Sequence, residues 1–181
     1  FPAFTESEPE SVSSADYTAE YGENWGYRRL SARLQSGYAD MYNAVRDGFG
    51  TDSTVTISDS SLGTEREYAG LRISLSQPLQ SGDEARLLYT AFLNDNPQFF
   101  HIGNTYSYEG YRSQNRDYYN VFCLVYTMNA QERTVARTRL NQAADSLIDA
   151  MQSETPSGDF ARELLLHDML MNICTYEQGA N

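Results

Sequence analysis

Lysine is absent from this 181-residue chain: all thirteen basic residues are arginine, set against 25 acids for a formal net charge of −12. Biased codon usage explains the missing lysine more simply than any chemistry does. So acidic a chain disfavours nucleic-acid phosphates and anionic lipid as partners, because binding either takes clustered cations. Basic partners and neutral ligands stay open. Histidine is nearly missing too, with only His101 and His167. Neither belongs to a His-x-Glu or His-x₃-His pair, so no metal site is expected. Only two cysteines occur, Cys123 and Cys174, both in apolar runs. Buried free thiols are expected, with a disulfide as the alternative in an exported chain. No apolar run approaches the ~18 residues of a membrane helix. There is no Gly-x-Ser-x-Gly elbow and no glycine-rich phosphate loop, so no cofactor is implied. The chain starts at Phe1 without methionine or a charged-then-apolar leader, and a segment removed upstream is the expectation.

What is present begins with acid. Residues 1 to 24 hold six acids and no base, with several Ser and Pro, and read as a solvated linker. The remaining chain keeps nineteen acids against thirteen arginines, a charge of −6, and residues 25 to 181 read as a single domain. From Trp25 to Phe49, Leu30, Leu34, Tyr38, Met41 and Val45 keep helical spacing, and Gly48 and Gly50 mark the stop. One long amphipathic helix is predicted there. Thr51 to Ser58 alternates as an edge strand or hairpin arm, and Asp59 to Thr64 is a loop. Glu65 to Leu79 fits a strand and a helix equally. Ser81-Gly-Asp-Glu84 is a capping box opening a helix that must end before Pro97.

Beyond Pro97, Phe99 to Ile102 and Thr105 to Tyr108 read as two short strands joined across Gly103-Asn104, a hairpin-turn dipeptide. A polar link around Asp117 leads to Tyr118 to Thr127, apolar on both alternating faces and so the predicted centre of the sheet. Asn129 to Glu132 repeats the capping signal ahead of a helix of about six turns carrying Ala136, Leu140, Ala143, Leu147 and Met151. Thr155-Pro156 would cap the last helix, Asp159 to Tyr176. The fold class is α+β, a small antiparallel sheet packed against four or so helices.

Chemistry-bearing residues are few. Tyr106, Tyr108, Tyr111 and Tyr119 crowd together with Asn104, a composition able to line a groove that stacks on sugars or holds an extended peptide. The plainer alternative is a set of cross-strand aromatic pairs. His167-Asp168 is the one adjacent acid–base pair, but neighbouring helical positions point ~100° apart, so Asp168 is poorly placed to orient His167. Both histidines lie among apolar residues and read first as buried structural groups. Phe160, Leu164, His167, Met171 and Cys174 recur at spacings of four, three, four and three and form one helical face, widened by Leu166, Leu170 and Ile173. That face must be covered, by the chain's own sheet, by a second copy through residues 159–176, or by a further C-terminal region.

Two stretches resemble a known family. Asn94-Asp-Asn-Pro-Gln-Phe-Phe-His-Ile102 resembles the "D-N-P-E-Y-F-W" element that precedes the catalytic core of bacterial transglutaminase-like proteins. Glu163 to Glu177 resembles the "K-x-x-x-I-H-D-Y-L-x-x-x-x-x-Y-D" helix just ahead of that core. The resemblance covers roughly residues 28–178, with Gln98 where an acid is common and Met169 where Tyr is common. It implies that Asp95, Asn96, Pro97, Phe99, Phe100, His167, Asp168 and Tyr176 are structural motif residues. The family's Cys-His-Asp triad follows this helix and is not in this sequence, and Cys174 does not match the nucleophile. No catalytic residue is therefore assigned. The implied function is the non-catalytic N-terminal portion of an exported bacterial protein that transfers acyl groups or cleaves peptides, extracellular or anchored at the cell surface. A self-sufficient surface module holding cell-wall glycan or peptide is the alternative.

Overall fold

The computed structural model describes residues 24–59, 64–153 and 158–173. The acidic segment up to residue 23, most of the 59–64 loop, the Thr155-Pro156 cap, Cys174 and Tyr176 lie outside them. Among the described residues are five α-helices and four strands: α1 Trp25–Arg28, α2 Ala32–Asp47, β1 Thr54–Asp59, β2 Thr64–Leu79, α3 Gly82–Asp95, β3 Ile102–Ser113, β4 Arg116–Tyr126, α4 Ala130–Ser153 and α5 Asp159–Ile173. The sheet is antiparallel in the order β1-β2-β4-β3. This is the α+β architecture expected, with the doubly apolar β4 between two neighbours. The chain divides after Arg133 into two compact units.

In the first unit, one side of the sheet carries the main core. Ile73, Leu75 and Leu79 of β2 and Phe122, Leu124 and Tyr126 of β4 meet Leu34, Tyr38, Met41 and Val45 of α2 and Ala85, Leu88, Tyr89 and Phe92 of α3. The ambiguous stretch before Leu79 is a strand because its alternation serves two partners: residues 64–69 pair with β1, and from Gly70 onward β2 pairs with β4. At that changeover a Cβ on Gly70 would lie 2.2 Å from the Leu124 carbonyl oxygen, so only glycine lets the backbones approach. The opposite side of the sheet holds a smaller cluster of Val55, Val121, Cys123 and Val125.

Two predicted elements are redrawn. The single helix from Trp25 to Phe49 is two helices, since Arg29 N–H and Leu30 N–H bond back three residues and α2 restarts at Ser31. The break lets α1 cross α3 closely: a Cβ on Gly26 would stand 2.9 Å from Ala91 Cα. The two short strands across Gly103-Asn104 are instead a 3₁₀ turn at Pro97–Phe99 followed by one strand that runs straight through that dipeptide. The hairpin reverses at Gln114-Asn115, with φ of 48° and 63° between the paired Ser113 and Arg116. Positive φ at both central residues is what a two-residue hairpin turn of matching twist requires.

Both capping signals are used, one of them as a reciprocal box. Ser81 Oγ accepts from Glu84 N–H at 3.2 Å, but the Glu84 carboxylate reaches the N–H of Gln80, at 2.6 Å, rather than that of Ser81. Asn129 and Glu132 cap each other reciprocally, both bonds 2.9 Å.

In the second unit, no described residue from Thr134 onward is fully buried. Along α5, Phe160 is 78% exposed, Leu164 50% and Met171 65%, and His167 is exposed as well. The burial expected for this stripe is not seen among the described residues. The half-buried residues of α5, Ala161, Leu165, Leu166 and Met169, centre on the opposite side of the helix.

Candidate functional site

The Asp-Asn-Pro element is a buried polar joint. Asp95, at the end of α3 and 5% exposed, accepts from the N–H groups of Gly26 (2.9 Å) and Tyr27 (2.7 Å) and from the Tyr38 hydroxyl (3.2 Å). Those two amides belong to the first turn of α1, where a helix has no internal acceptors. Asp95 therefore caps a helix almost seventy residues upstream, and its buried charge is satisfied by three donors. Asn96 donates to the Tyr38 hydroxyl (2.6 Å) and the Phe92 carbonyl (2.7 Å), and accepts from Gln98. Pro97 opens the 3₁₀ turn that carries Phe99 into the core against Tyr42 and Phe92. Phe100 is half-buried, with its ring 6.0 Å from that of His101. The Asp95 and Asn96 side chains are thus occupied, while Gln98 Oε1 is buried without a hydrogen-bond partner among the described residues.

A second joint, unforeseen in the sequence, is built on Arg133. This guanidinium is 1% exposed and donates to four backbone carbonyls: Phe49 (2.7 Å), Met128 (2.8 Å), Thr51 (2.8 Å) and Gly48 (3.5 Å). It also lies over the Tyr126 ring at 4.8 Å. Burial raises the Tyr126 hydroxyl to a pKa of about 12, although the nearby Arg133 charge pulls the other way. Asp52 reinforces the joint by accepting from Ala130 N–H at 2.6 Å. The loop after α2 is thus tied to the start of α4.

The tyrosine group does not form one groove. Val121 pairs with Glu109, but the next β4 partner, Tyr119, pairs with Gly110, leaving Asn120 as a bulge. The bulge flips the side-chain alternation of β4. Tyr106, Tyr108 and Tyr119 consequently lie on the α3 side, half-buried: Tyr106 stacks near Tyr89 at 4.3 Å, and Tyr108 meets Tyr119 edge-on at 4.7 Å. Burial of the ring is the main reason the Tyr106 hydroxyl is raised above its ordinary pKa. Tyr111 and Tyr118 pair on the other side, stacked at 5.6 Å, with Tyr111 52% exposed. Asn104 is exposed at the far end of β3.

Cys123 is a free, buried thiol on the central strand. Its Sγ lies 3.6 Å from Glu109 Oε1, while Arg72 bonds the other carboxylate oxygen at 2.7 Å. Burial first, and the Glu109 charge second, raise the thiol above its ordinary pKa. Arg72 holds Glu109 below its own. A thiol so placed stays protonated and is a poor nucleophile. His101 is fully buried among Phe49, Phe99 and Tyr126, as its apolar neighbourhood suggested. His167 is not buried. Its Nδ1 sits 3.3 Å from Asp168 Oδ1, both side chains about two-thirds exposed, so the adjacent pair does meet, but in solvent. Among the described residues no group of three His, Cys, Asp or Glu could hold a metal ion, and no helix is long and apolar enough to cross a membrane.

No protein-family model, curated protein or solved structure matches this chain.

Asp95 and Arg133 share a signal that sequence reasoning passed over. Each stands at the unfavourable pole of its helix, an acid at a C-terminus and a cation in a first turn. Charges set against the dipole need partners elsewhere, and both find them in distant backbone.

Proposed function

We propose that the chain is the non-catalytic N-terminal portion of an exported transglutaminase-like protein, outside the unit that performs acyl transfer or peptide cleavage. The observation that carries this reading is the Asp95 joint: in the stretch resembling the family motif the Asp95 and Asn96 side chains are engaged in holding α1, α2 and α3 together. An Asp-Asn pair engaged in this way shapes a scaffold. The protonated state of Cys123 and the solvent position of His167 agree with a chain that lacks its own nucleophile–base pair.

The test is an assay for incorporation of a fluorescent amine into a glutamine peptide, and for hydrolysis of that peptide, with the 181-residue chain. No turnover is expected. Cysteine-dependent turnover lost in Cys174→Ala would overturn the reading. The coding sequence beyond Asn181 supplies a second check: a Cys, a His and an Asp in that order should occur within one domain length, roughly 100–150 residues.

A second reading, a surface module for cell-wall glycan, rests on the exposed Tyr111 stacked on Tyr118. Of the five residues named from the sequence it keeps Tyr111 and adds Tyr118. Glycan-array binding lost in Tyr111→Ala and kept in Tyr106→Phe would favour it.

A further inference from the structure

We propose that the outer edge of β3, from Tyr106 to Arg112, takes up an extended basic peptide as a fifth strand of the sheet. β3 ends the order β1-β2-β4-β3, and among the described residues only β4 pairs with it. A strand in that position keeps one row of backbone N–H and C=O groups directed away from the sheet. The row is accessible: no residue from Gly103 to Ser113 is fully buried, whereas Val121 to Tyr126 on the neighbouring β4 all are. It is also uninterrupted, because the extra residue at the Glu109/Gly110 register shift is Asn120 on β4 and not a residue of β3. The devices that ordinarily blunt such an edge are lacking. Tyr106 to Arg112 contains no proline and no lysine, and β3 is long, 12 residues against 6 for β1 at the opposite edge.

The edge and the charge of the chain select the occupant. Regularly spaced, outward-facing N–H and C=O groups are matched in spacing by another extended backbone, and not by a helix, which uses its backbone groups internally. Side chains of the added strand alternate between two surroundings. On the α3 side they meet the half-buried rings of Tyr106 and Tyr108, which suit apolar residues. On the other side they meet Ser107, Glu109 and Tyr111. There the Glu109 carboxylate is about half exposed although Arg72 bonds one of its oxygens, so a basic residue has an acceptor. A peptide alternating apolar with basic residues therefore fits both sides. The formal charge of −12 draws such a peptide in and sets a second copy, which carries the same −12, at a disadvantage.

The probe is a synthetic peptide of about eight residues alternating valine with arginine, within the usual length of a strand, titrated with the full chain and followed by fluorescence anisotropy. Saturable one-to-one binding is expected, with Kd below about 1 mM. Replacing the arginines by glutamates should weaken it at least about tenfold. Two versions N-methylated at alternate residues read the mode. In an added strand only every second N–H points at the neighbour, so one version should lose at least about tenfold in affinity and the other little. Amide exchange followed by NMR gives the place: alternate amides of Tyr106 to Arg112 should slow when the peptide binds, with those of β1 unchanged. Absence of saturable binding overturns the proposal, as do equal binding of the valine–glutamate peptide, equal affinities of the two N-methylated versions, and slowing at β1 instead of β3. Slowing of the β3 amides in the chain alone as its concentration rises would overturn it in favour of a second copy.

Discussion

Helices α2 and α5 announce themselves in the sequence by the same sign, apolar residues at spacings of three and four, and meet opposite fates. In α2, Leu34, Tyr38, Met41 and Val45 are between 0% and 4% exposed, while in α5 Phe160 and Met171 are 78% and 65% exposed. Periodicity states which face of a helix is apolar. What covers that face depends on other elements being long, apolar and correctly placed. For α2 they are: β2 and β4 offer Ile73, Leu75 and Leu124, and α3 closes the flank with Leu88 and Phe92. In α5 the half-buried residues are Ala161, Leu165, Leu166 and Met169, a weaker pattern than the one the eye picks out.

The comparison can be broken or sharpened by substitution, beginning with the group that most depends on its surroundings. Arg133→Met should cost about 3–5 kcal/mol in urea denaturation, because a buried carbonyl and three part-buried ones lose their donor at once. A loss below about 1 kcal/mol would mean that solvent replaces the guanidinium. Met41→Ala should cost about 2–5 kcal/mol, since Met41 is fully buried and its removal leaves a cavity. Its counterpart Met171→Ala should change stability by less than about 0.5 kcal/mol at low protein concentration. Equal effects of the two would erase the distinction between α2 and α5.

Smaller effects follow at the helix ends and with pH. Ser81→Ala removes the acceptor for Glu84 N–H and should cost about 1 kcal/mol. Glu84 is held below its ordinary value of 4.5, chiefly by its hydrogen bonds from Arg33 and further by the Gln80 amide, against partial burial. A carboxylate whose folded pKa is depressed contributes stability that is present above the unfolded value and is lost as pH falls through the folded one. The acid limb of unfolding, below about pH 4.5, should therefore be shallower in Glu84→Gln. The difference should stay under about 1 kcal/mol, because both partners are about one-quarter exposed and solvent screens the pair. An unchanged acid limb would show that Glu84 contributes nothing across that range.

Local chemistry was legible where it is self-contained. The capping signals at Ser81 and Asn129, the stop at Gly48 and the doubly apolar β4 all lie within a few residues of the structure they specify. The turn was misplaced for a physical reason. Gly103-Asn104 is a good hairpin dipeptide, but reversing there would take Tyr106 and Tyr108 out of the core. Pairing Ile102–Ser113 against Arg116–Tyr126 puts those rings beside Phe122 and Tyr119, and the reversal moves to Gln114-Asn115. The tyrosine group was legible as composition only, because its division over two faces hangs on the single extra residue Asn120. The joints at Asp95 and Arg133 were hardest to see. Each links positions separated by roughly seventy to eighty residues, and only their discord with the helix dipole marks them locally.

The Asp95 joint also fixes when the start of the fold can come undone. A four-residue helix has no stability of its own, since nucleation outweighs so few internal bonds. Yet the Gly26 and Tyr27 amides are held by a carboxylate whose backbone is the last turn of α3. Their exchange with solvent deuterium should accordingly track the opening of α3 and fall silent whenever that helix is intact. The shortest α-helix among the described residues would then report on the unfolding of the core rather than on fraying of its own end.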